Sequence, residues 1–469
     1  MHFKYMMLII GLLSTFHITK GDGQNRDTPL YVPGEYLEES PLVLVNAQRF
    51  DLMAKYLFAQ SYIMNLKTDW FSCLYESHLR VWNGCHEEYP PSSILNFNCA
   101  REYKEKRGIR EYIESFSALL DSIRTKGFDL SQSIIPTNIH KQIKDGAHRV
   151  SACLLFDKPV KYKKFDDSNF IAATAEYFKK AGLEDGFLDA MALQYCKLKS
   201  NTYVINLFPD ALKNEAEVYK ILSKYGTIVY EKNATLFKNG PLNLIRMLYE
   251  EPFEGWNNNF AKEKSEHCFF GKHKKHRMRF ILFECDSLEK TTKCKSEIRA
   301  FFKSYDVIHI NDTHEESILS AQTAFNNNSL HFINHASPKH FKNFTDLFGR
   351  FKQWIAREGY SLDYFCIDTS AVLSVYGIRE CADLDYLHSG SPIDSGIVGI
   401  DDHDCELRYH ASSKDDIVFN PENHFYFKGV KFCSLNTIKK LKQKRNEVKD
   451  QKDIKMINEL LASKKAARC

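Results

Sequence analysis

The residues best suited to chemistry in this chain are Asp383 and Asp385, two apart in the run Cys381-Ala382-Asp383-Leu384-Asp385-Tyr386. In a strand, residues at that spacing face the same side, so both carboxylates point into one site while Leu384 and Tyr386 face a core. Such a pair offers a hard cation, Mg²⁺ or Mn²⁺, the oxygen ligands it takes from protein, with phosphates and water completing its shell. Shortly before it lies Phe365-Cys366-Ile367-Asp368-Thr369-Ser370, an apolar strand ending in a hydroxyl-bearing turn. Strand, turn, short helix and paired acids suit a metal-bound nucleoside triphosphate, with Thr369 and Ser370 at the phosphates. The plainer reading of the acids is a solvated strand end.

A second candidate is Lys144-Asp145-Gly146-Ala147-His148-Arg149, which leads into a helix-like stretch from Val150 to Phe156. Backbone N–H groups at the helix start, together with His148 and Arg149, make an anion site by geometry. Alternatively, Asp145 caps the helix while His148 and Arg149 pair with nearby acids. A third cluster holds His309, Asn311, Asp312, His314 and Glu315, with His331 and His335 downstream. Its imidazoles and carboxylates suit zinc or manganese. No HExxH spacing is present, however, and a helix start capped by Asp312 or Thr313 fits equally, as a polar loop facing the active cleft. The basic run 271–279 reads as a solvated loop.

These residues need elements to hold them. Helical spacing links Phe50, Leu52, Met53, Tyr56, Leu57, Tyr62 and Met64, and again Tyr112, Phe116, Leu119, Leu120 and Ile123. In the middle, strands are expected at 202–208, 227–230, 279–283 and 307–310, with helices at 215–225, 241–249 and 295–304. That alternation argues for an α/β layer. Towards the end, a helix over 344–357 precedes the Asp368 turn, and 387–404, with Gly390, Pro392 and Gly396, reads as a mobile loop. A hairpin turns at Lys428-Gly429, Ser434 caps a helix, and Lys-rich helical sequence closes the chain. The expected architecture is multidomain, α/β and α+β, with units at 42–165, 166–340 and 345–469.

Of the 469 residues, 43% are hydrophobic and 26% charged, which excludes extensive disorder. A net charge of +4 does not argue for a nucleic-acid partner. Lys4, the apolar run from Tyr5 to Phe16, and small residues at Thr19 and Gly21 read as a signal peptide over 1–21. The run is shorter than the roughly 18–20 residues that span a bilayer, and no later segment qualifies. The expected location is therefore outside the cell or in the secretory-pathway lumen. Thirteen cysteines without CxxC pairs argue against a zinc ribbon and allow a few disulfides. Glycan acceptor sequons stand at Asn233, Asn311, Asn327 and Asn343.

Two stretches resemble known families. Ile135-Pro136, the run Ile143 to Arg149 and Ala152 look like the core motif of the ParB/sulfiredoxin-like fold, over roughly residues 125–165. The resemblance implies nucleotide binding at the turn, so Asp145, Gly146, His148 and Arg149 are expected to position phosphates. Ala147 replaces the reactive cysteine of sulfiredoxin, so that activity is not implied. The stretch from Ile367 to Ser370, followed by Ala382 to Tyr386, resembles the nucleotidyltransferase fold, as does the closing Lys-Asp-rich helix pair. In that family the turn holds the triphosphate tail, the carboxylates hold two metals and a third acid helps activate the acceptor. Thr369 stands where the family has glycine, and the third acid is open among Asn423, His424, Glu422 and Asp416. Arg445 or Lys449 is expected to neutralise developing charge. The combined expectation is a nucleotidyl or phosphoryl transferase acting on a small hydroxylated acceptor or a glycan. Its alternative is a non-catalytic binding protein on a degenerate scaffold of the same kind.

Overall fold

Each region of the sequence contributes one of three β-sheets. The computed structural model describes residues 36–82, 108–129, 134–165, 172–249, 259–271 and 274–462. The expected leader, 1–21, lies outside them. In the first sheet, β1 (Leu37–Glu39), β2 (Ile135–Thr137) and β3 (Val160–Lys164) run in the order β1-β3-β2. The parallel pair β2/β3 is joined through the helix Ala147–Phe156, as a parallel connection requires. That helix rests on the helices Leu52–Met64 and Ile109–Lys126, whose apolar faces supply Phe58 and Phe116 to a stack with Tyr75.

The middle sheet contains β4 (Thr202–Leu207), β5 (Thr227–Phe237), β6 (Lys275–Glu284) and β7 (Ile308–Ile310), in the order β5-β6-β4-β7. Every neighbour in it is antiparallel, which corrects the expected α/β layer to α+β. Helix-bearing connections permit parallel pairing but do not impose it. Here the helices Glu215–Tyr225 and Leu288–Phe302 pack together against the sheet, closing a separate core around Ile205, Ile221, Ile298 and Ile310. The basic run is also corrected, because from Lys275 onward it is strand β6. Arg279, in register with Asn233 on β5, reaches Glu215 and Glu231.

The last sheet is mixed, in the order β10-β9-β8-β12-β11. Its strands are β8 (Phe365–Ile367), β9 (Leu384–His388), β10 (Ile400–Asp402), β11 (His424–Phe427) and β12 (Val430–Cys433). β8 is parallel to β12 and antiparallel to β9, and β10 is parallel to β9. The hairpin turns at Lys428 and Gly429, with φ of 48° and 81°, the left-handed pair of a type I′ turn. Segment 387–404, expected as loop throughout, contains β10, whose Ile400 is buried in register with Leu384. The helix Lys342–Glu358 lays Phe344, Phe348, Phe351 and Trp354 into the core beside this sheet. Ser434 caps the helix Leu435–Arg445, and Val448–Ala462 follows.

One core cluster extends from Leu44 to Ile457 and joins the three regions. No helix among the described residues is long and apolar enough to cross a membrane. The described cysteines are free thiols, with Cys366 and Cys433 Sγ 3.7 Å apart on adjacent strands. Asn311 is 2% exposed, so its sequon cannot accept a glycan in the folded chain.

Candidate functional site

β8 is buried along its whole length and delivers Asp368 to the start of the helix Thr369–Val375. β9 lies beside it, with Asp383 immediately before the strand and Asp385 within it. The Asp368 amide donates to the Asp385 carbonyl at 2.8 Å, which locks the turn to the strand. The Thr369 hydroxyl donates to the Asp385 carboxylate, and Ser370 Oγ donates to Asp383 Oδ1 at 3.3 Å. Thr369, Ser370, Asp383 and Asp385 therefore converge, two hydroxyls on two carboxylates. Thr369 takes φ of 49°, a left-handed conformation that costs a β-branched residue about 1–2 kcal/mol. It is also the position where the nucleotidyltransferase resemblance expects glycine.

Burial pushes the Asp385 carboxyl up to about 6; Asp383 and Asp368 push the same way, while His403 and the Thr369 hydroxyl pull it back. A third acid joins them from β10: Asp401 is in register with Asp385, which places both carboxylates on one face of the sheet. Of the positions considered earlier, Asp416 lies in the helix Lys414–Phe419, and Glu422, Asn423 and His424 lie on β11 or just before it, at the opposite edge from β10. His424 is buried there, facing the Ile417 carbonyl at 3.1 Å, and the Asn423 amide is taken by Asp416 at 2.8 Å.

Behind the turn lies a group that sequence reasoning missed. Asp368 Oδ2 accepts from His403 Nδ1 at 2.9 Å and from His410 Nε2 at 2.8 Å, with all three residues buried. Burial opposes the charge on Asp368, but His410 and His403 hold its carboxyl well below the usual range. Burial likewise disfavours charged His403, and the bond to Asp368 outweighs it, so the imidazole sits above its ordinary value. Asp368 Oδ1 and His410 Nδ1 are buried without a hydrogen-bond partner among the described residues. This group can hold a metal ion. Its two imidazoles and one carboxylate are a transition-metal donor set, whereas Asp383 and Asp385 offer the all-oxygen ligation of Mg²⁺ or Mn²⁺. The acidic tract Asp401-Asp402-His403-Asp404 was the available signal, hidden inside a segment read as loop.

Other expected residues are engaged elsewhere. Arg445 bridges Asp450 at 2.9 Å and Glu406 at 3.1 Å. Lys442 joins Asp450 and Asp453, and Asp453 holds Arg379, in the segment leading to Asp383. Arg445 thus belongs to the ion-pair network that braces the closing helices. Lys449 is exposed beside Glu447. In the first region, Gly146 takes φ of 94° at the start of its helix, and Arg149 lies 3.7 Å from Asp145. His148 bonds the Tyr75 hydroxyl at 2.7 Å and sits edge-on to Phe116 at 4.6 Å between centroids. Of the capping-and-pairing alternative, the Arg149–Asp145 pair is present, whereas the N-cap is Gly146, with no side-chain cap bond, and His148 contacts aromatic residues. In the His309 cluster, Thr313 forms a capping box with Glu316, Asp312 pairs with Lys295 and His314 meets the Cys196 carbonyl. His331 and His335 stack on each other in a separate helix. That cluster is a helix start, and among the described residues only Asp368, His403 and His410 gather as metal-ligating groups do.

Comparison with models of known families, with curated proteins and with solved structures returns no match, so the functional reading rests on the geometry of this site.

Proposed function

We propose that the chain is a nucleotide-dependent transferase that moves a nucleotidyl or phosphoryl group onto a small hydroxylated acceptor or a glycan, in the secretory lumen or outside the cell. The observation that carries this reading is the convergence of Thr369 and Ser370 on Asp385 and Asp383 across one turn and one strand. Asp383 and Asp385 are the residues that would hold Mg²⁺ or Mn²⁺, and their donor set fits that ion. When bound, the ion would neutralise triphosphate charge and polarise the transferred phosphorus. Ser370 would turn its hydroxyl to the phosphate tail. Asp401, exposed on the Asp385 face, would take the proton from the acceptor hydroxyl. The Arg379-Asp453-Lys442 bridge ties the segment leading to Asp383 to the closing helices.

One observation favours the second reading, a binding protein without turnover. The Cβ of Thr369 narrows the approach to the turn, and its hydroxyl is already committed to Asp385. A single experiment tests both. Thermal unfolding is followed with ATP, GTP, CTP and UTP, with and without Mg²⁺, for the wild type and for Asp383→Asn combined with Asp385→Asn. The transferase reading expects a Mg²⁺-dependent rise in Tm for at least one nucleotide, lost in the double variant, with release of pyrophosphate (nucleotidyl transfer) or nucleoside diphosphate (phosphoryl transfer) on adding acceptor. A rise without release supports the binding protein. No rise, or one that survives the double substitution, defeats the transferase reading.

A further inference from the structure

Between the middle and last sheets lies a cavity of about 310 Å³, within the size range of small-molecule sites. Its polar lining comes from Asn206 on β4, Asn311 just after β7, and Gln322 on the helix His314–Ala324. Asn206 is fully buried, and neither its amide nitrogen nor its oxygen has a partner among the described residues. Asn311 Oδ1 and Gln322 Oε1, 2% and 5% exposed as residues, are unpartnered as well. Each such group costs about 1–3 kcal/mol when left unsatisfied, so several around one cavity call for an occupant. Phe280 and Tyr426 add aromatic surface, and Arg246, Lys352 and Lys428 bring positive charge. Glu316 also lines the cavity, but its carboxylate already accepts from the Asp312 and Thr313 amides.

This is a different place from the carboxylate site. β8 and β12 are parallel, with Cys366 beside Lys431. The Asp368 turn follows the C-terminal end of β8, while Lys428-Gly429 precedes the N-terminal end of β12. The cavity and Asp383 therefore sit at opposite ends of the same strands.

We infer that the cavity binds a small polyhydroxylated anion, a phosphorylated or carboxylated monosaccharide or cyclitol. Three buried amide oxygens need hydrogen-bond donors and the Asn206 nitrogen needs an acceptor, and hydroxyl groups supply both roles. The C–H faces of such a ring suit Phe280 and Tyr426, and its charged group suits the three cations.

The test is calorimetric titration of the full chain with glucose 6-phosphate, glucuronate and inositol 1-phosphate, with adenosine and uridine alongside. At least one of the first three is expected to bind, tenfold or more weaker in both Asn206→Leu and Gln322→Leu, and unchanged in Asp383→Asn. Without ligand, Asn206→Leu is expected to raise Tm by about 2–4 °C, because it removes an unpaired buried amide. The inference is overturned if none of the three binds, if only the nucleosides bind, or if binding ignores the Asn206 and Gln322 substitutions. It is equally overturned if ligand-free Asn206→Leu melts lower than wild type, since ordered water would then satisfy the amide. Asp383→Asn leaves this cavity intact, so its failure and that of the transferase reading are separable.

Discussion

The chain twice enters a helix through a tight turn at a left-handed residue, after the isolated bridge at Ile143 in one place and after strand β8 in the other. At Asp145-Gly146 the left-handed residue is glycine, which adopts φ of 94° without steric cost. At Asp368-Thr369 it is a buried, β-branched threonine at φ of 49°. The side chains differ in the same sense. Around Gly146, Arg149 meets Asp145 and His148 packs among Tyr75, Tyr112 and Phe116. Around Thr369, the neighbouring strands bring Asp383, Asp385 and Asp401 to one face, with Asp368, His403 and His410 behind. The relaxed turn spends its polar groups on aromatic packing and one ion pair, whereas the strained turn gathers several carboxylates on one face and behind it. Strain of this kind persists only where the surroundings over-determine it, and it tends to mark sites of chemistry.

The largest effect that separates the turns is expected at His148. His148→Ala removes an imidazole from between aromatic rings and strands the Tyr75 hydroxyl, at a cost of about 2–3 kcal/mol. Denaturant titration should show that loss, while the Mg²⁺-nucleotide shift stays at its wild-type size. Intact stability with a weakened nucleotide shift would instead make the first turn a phosphate site and erase the contrast.

Acid probes the two regions next. His424 in the last sheet is held neutral by burial, its imidazole pulled down to about 3, with Lys431 and Lys197 adding to the effect and Asp363 opposing it. In the unfolded chain the imidazole protonates near its ordinary value, so between about 3 and 6.5 the unfolded state binds more protons and stability falls as pH falls. At pH 5 the loss from this residue is about 2 kcal/mol. His78 in the first region, also lowered by burial and then by Lys55, contributes with the same sign. His424→Phe should flatten the profile by its share and leave the His78 share in place. An unchanged slope would mean that the last sheet already admits the proton when folded.

What could be read in advance follows from how local each signal is. Asp383-Leu384-Asp385 alternates, Lys428-Gly429 takes a left-handed hairpin pair, and Ser434 caps its helix. Each depends on a few adjacent residues, and each stands where the sequence placed it. β10 is different, because Ile400-Asp401-Asp402 carries more charge than apolar surface and becomes a strand only by pairing with β9. The meeting of Asp368 with His403 and His410 depends on that strand, so it was hidden for the same reason. The aromatic surroundings of His148 come from distant helices, and the antiparallel middle sheet depends on which strands meet. No periodicity encodes either.

Exchanging the residues at the two left-handed positions gives the smallest expected changes and the sharpest comparison. Gly146→Ala forces a side chain into φ of 94°, with its Cβ 2.8 Å from Arg149 Nη2, and should cost about 1–2 kcal/mol without altering nucleotide binding. Thr369→Gly works in the opposite sense. It removes about 1–2 kcal/mol of left-handed strain but gives up the bond to Asp385, worth about 1 kcal/mol, and adds backbone entropy to the unfolded chain. These effects offset, so its stability should remain within about 1 kcal/mol of wild type. Its binding should not stay level, because a turn without Cβ lets phosphate approach the backbone and the freed Asp385 carboxylate becomes available to a cation. Mg²⁺-nucleotide affinity should therefore rise severalfold, read by calorimetric titration at constant Mg²⁺. If affinity falls instead, the threonine hydroxyl is itself a contact to the nucleotide, and the strain at this turn holds that hydroxyl in place.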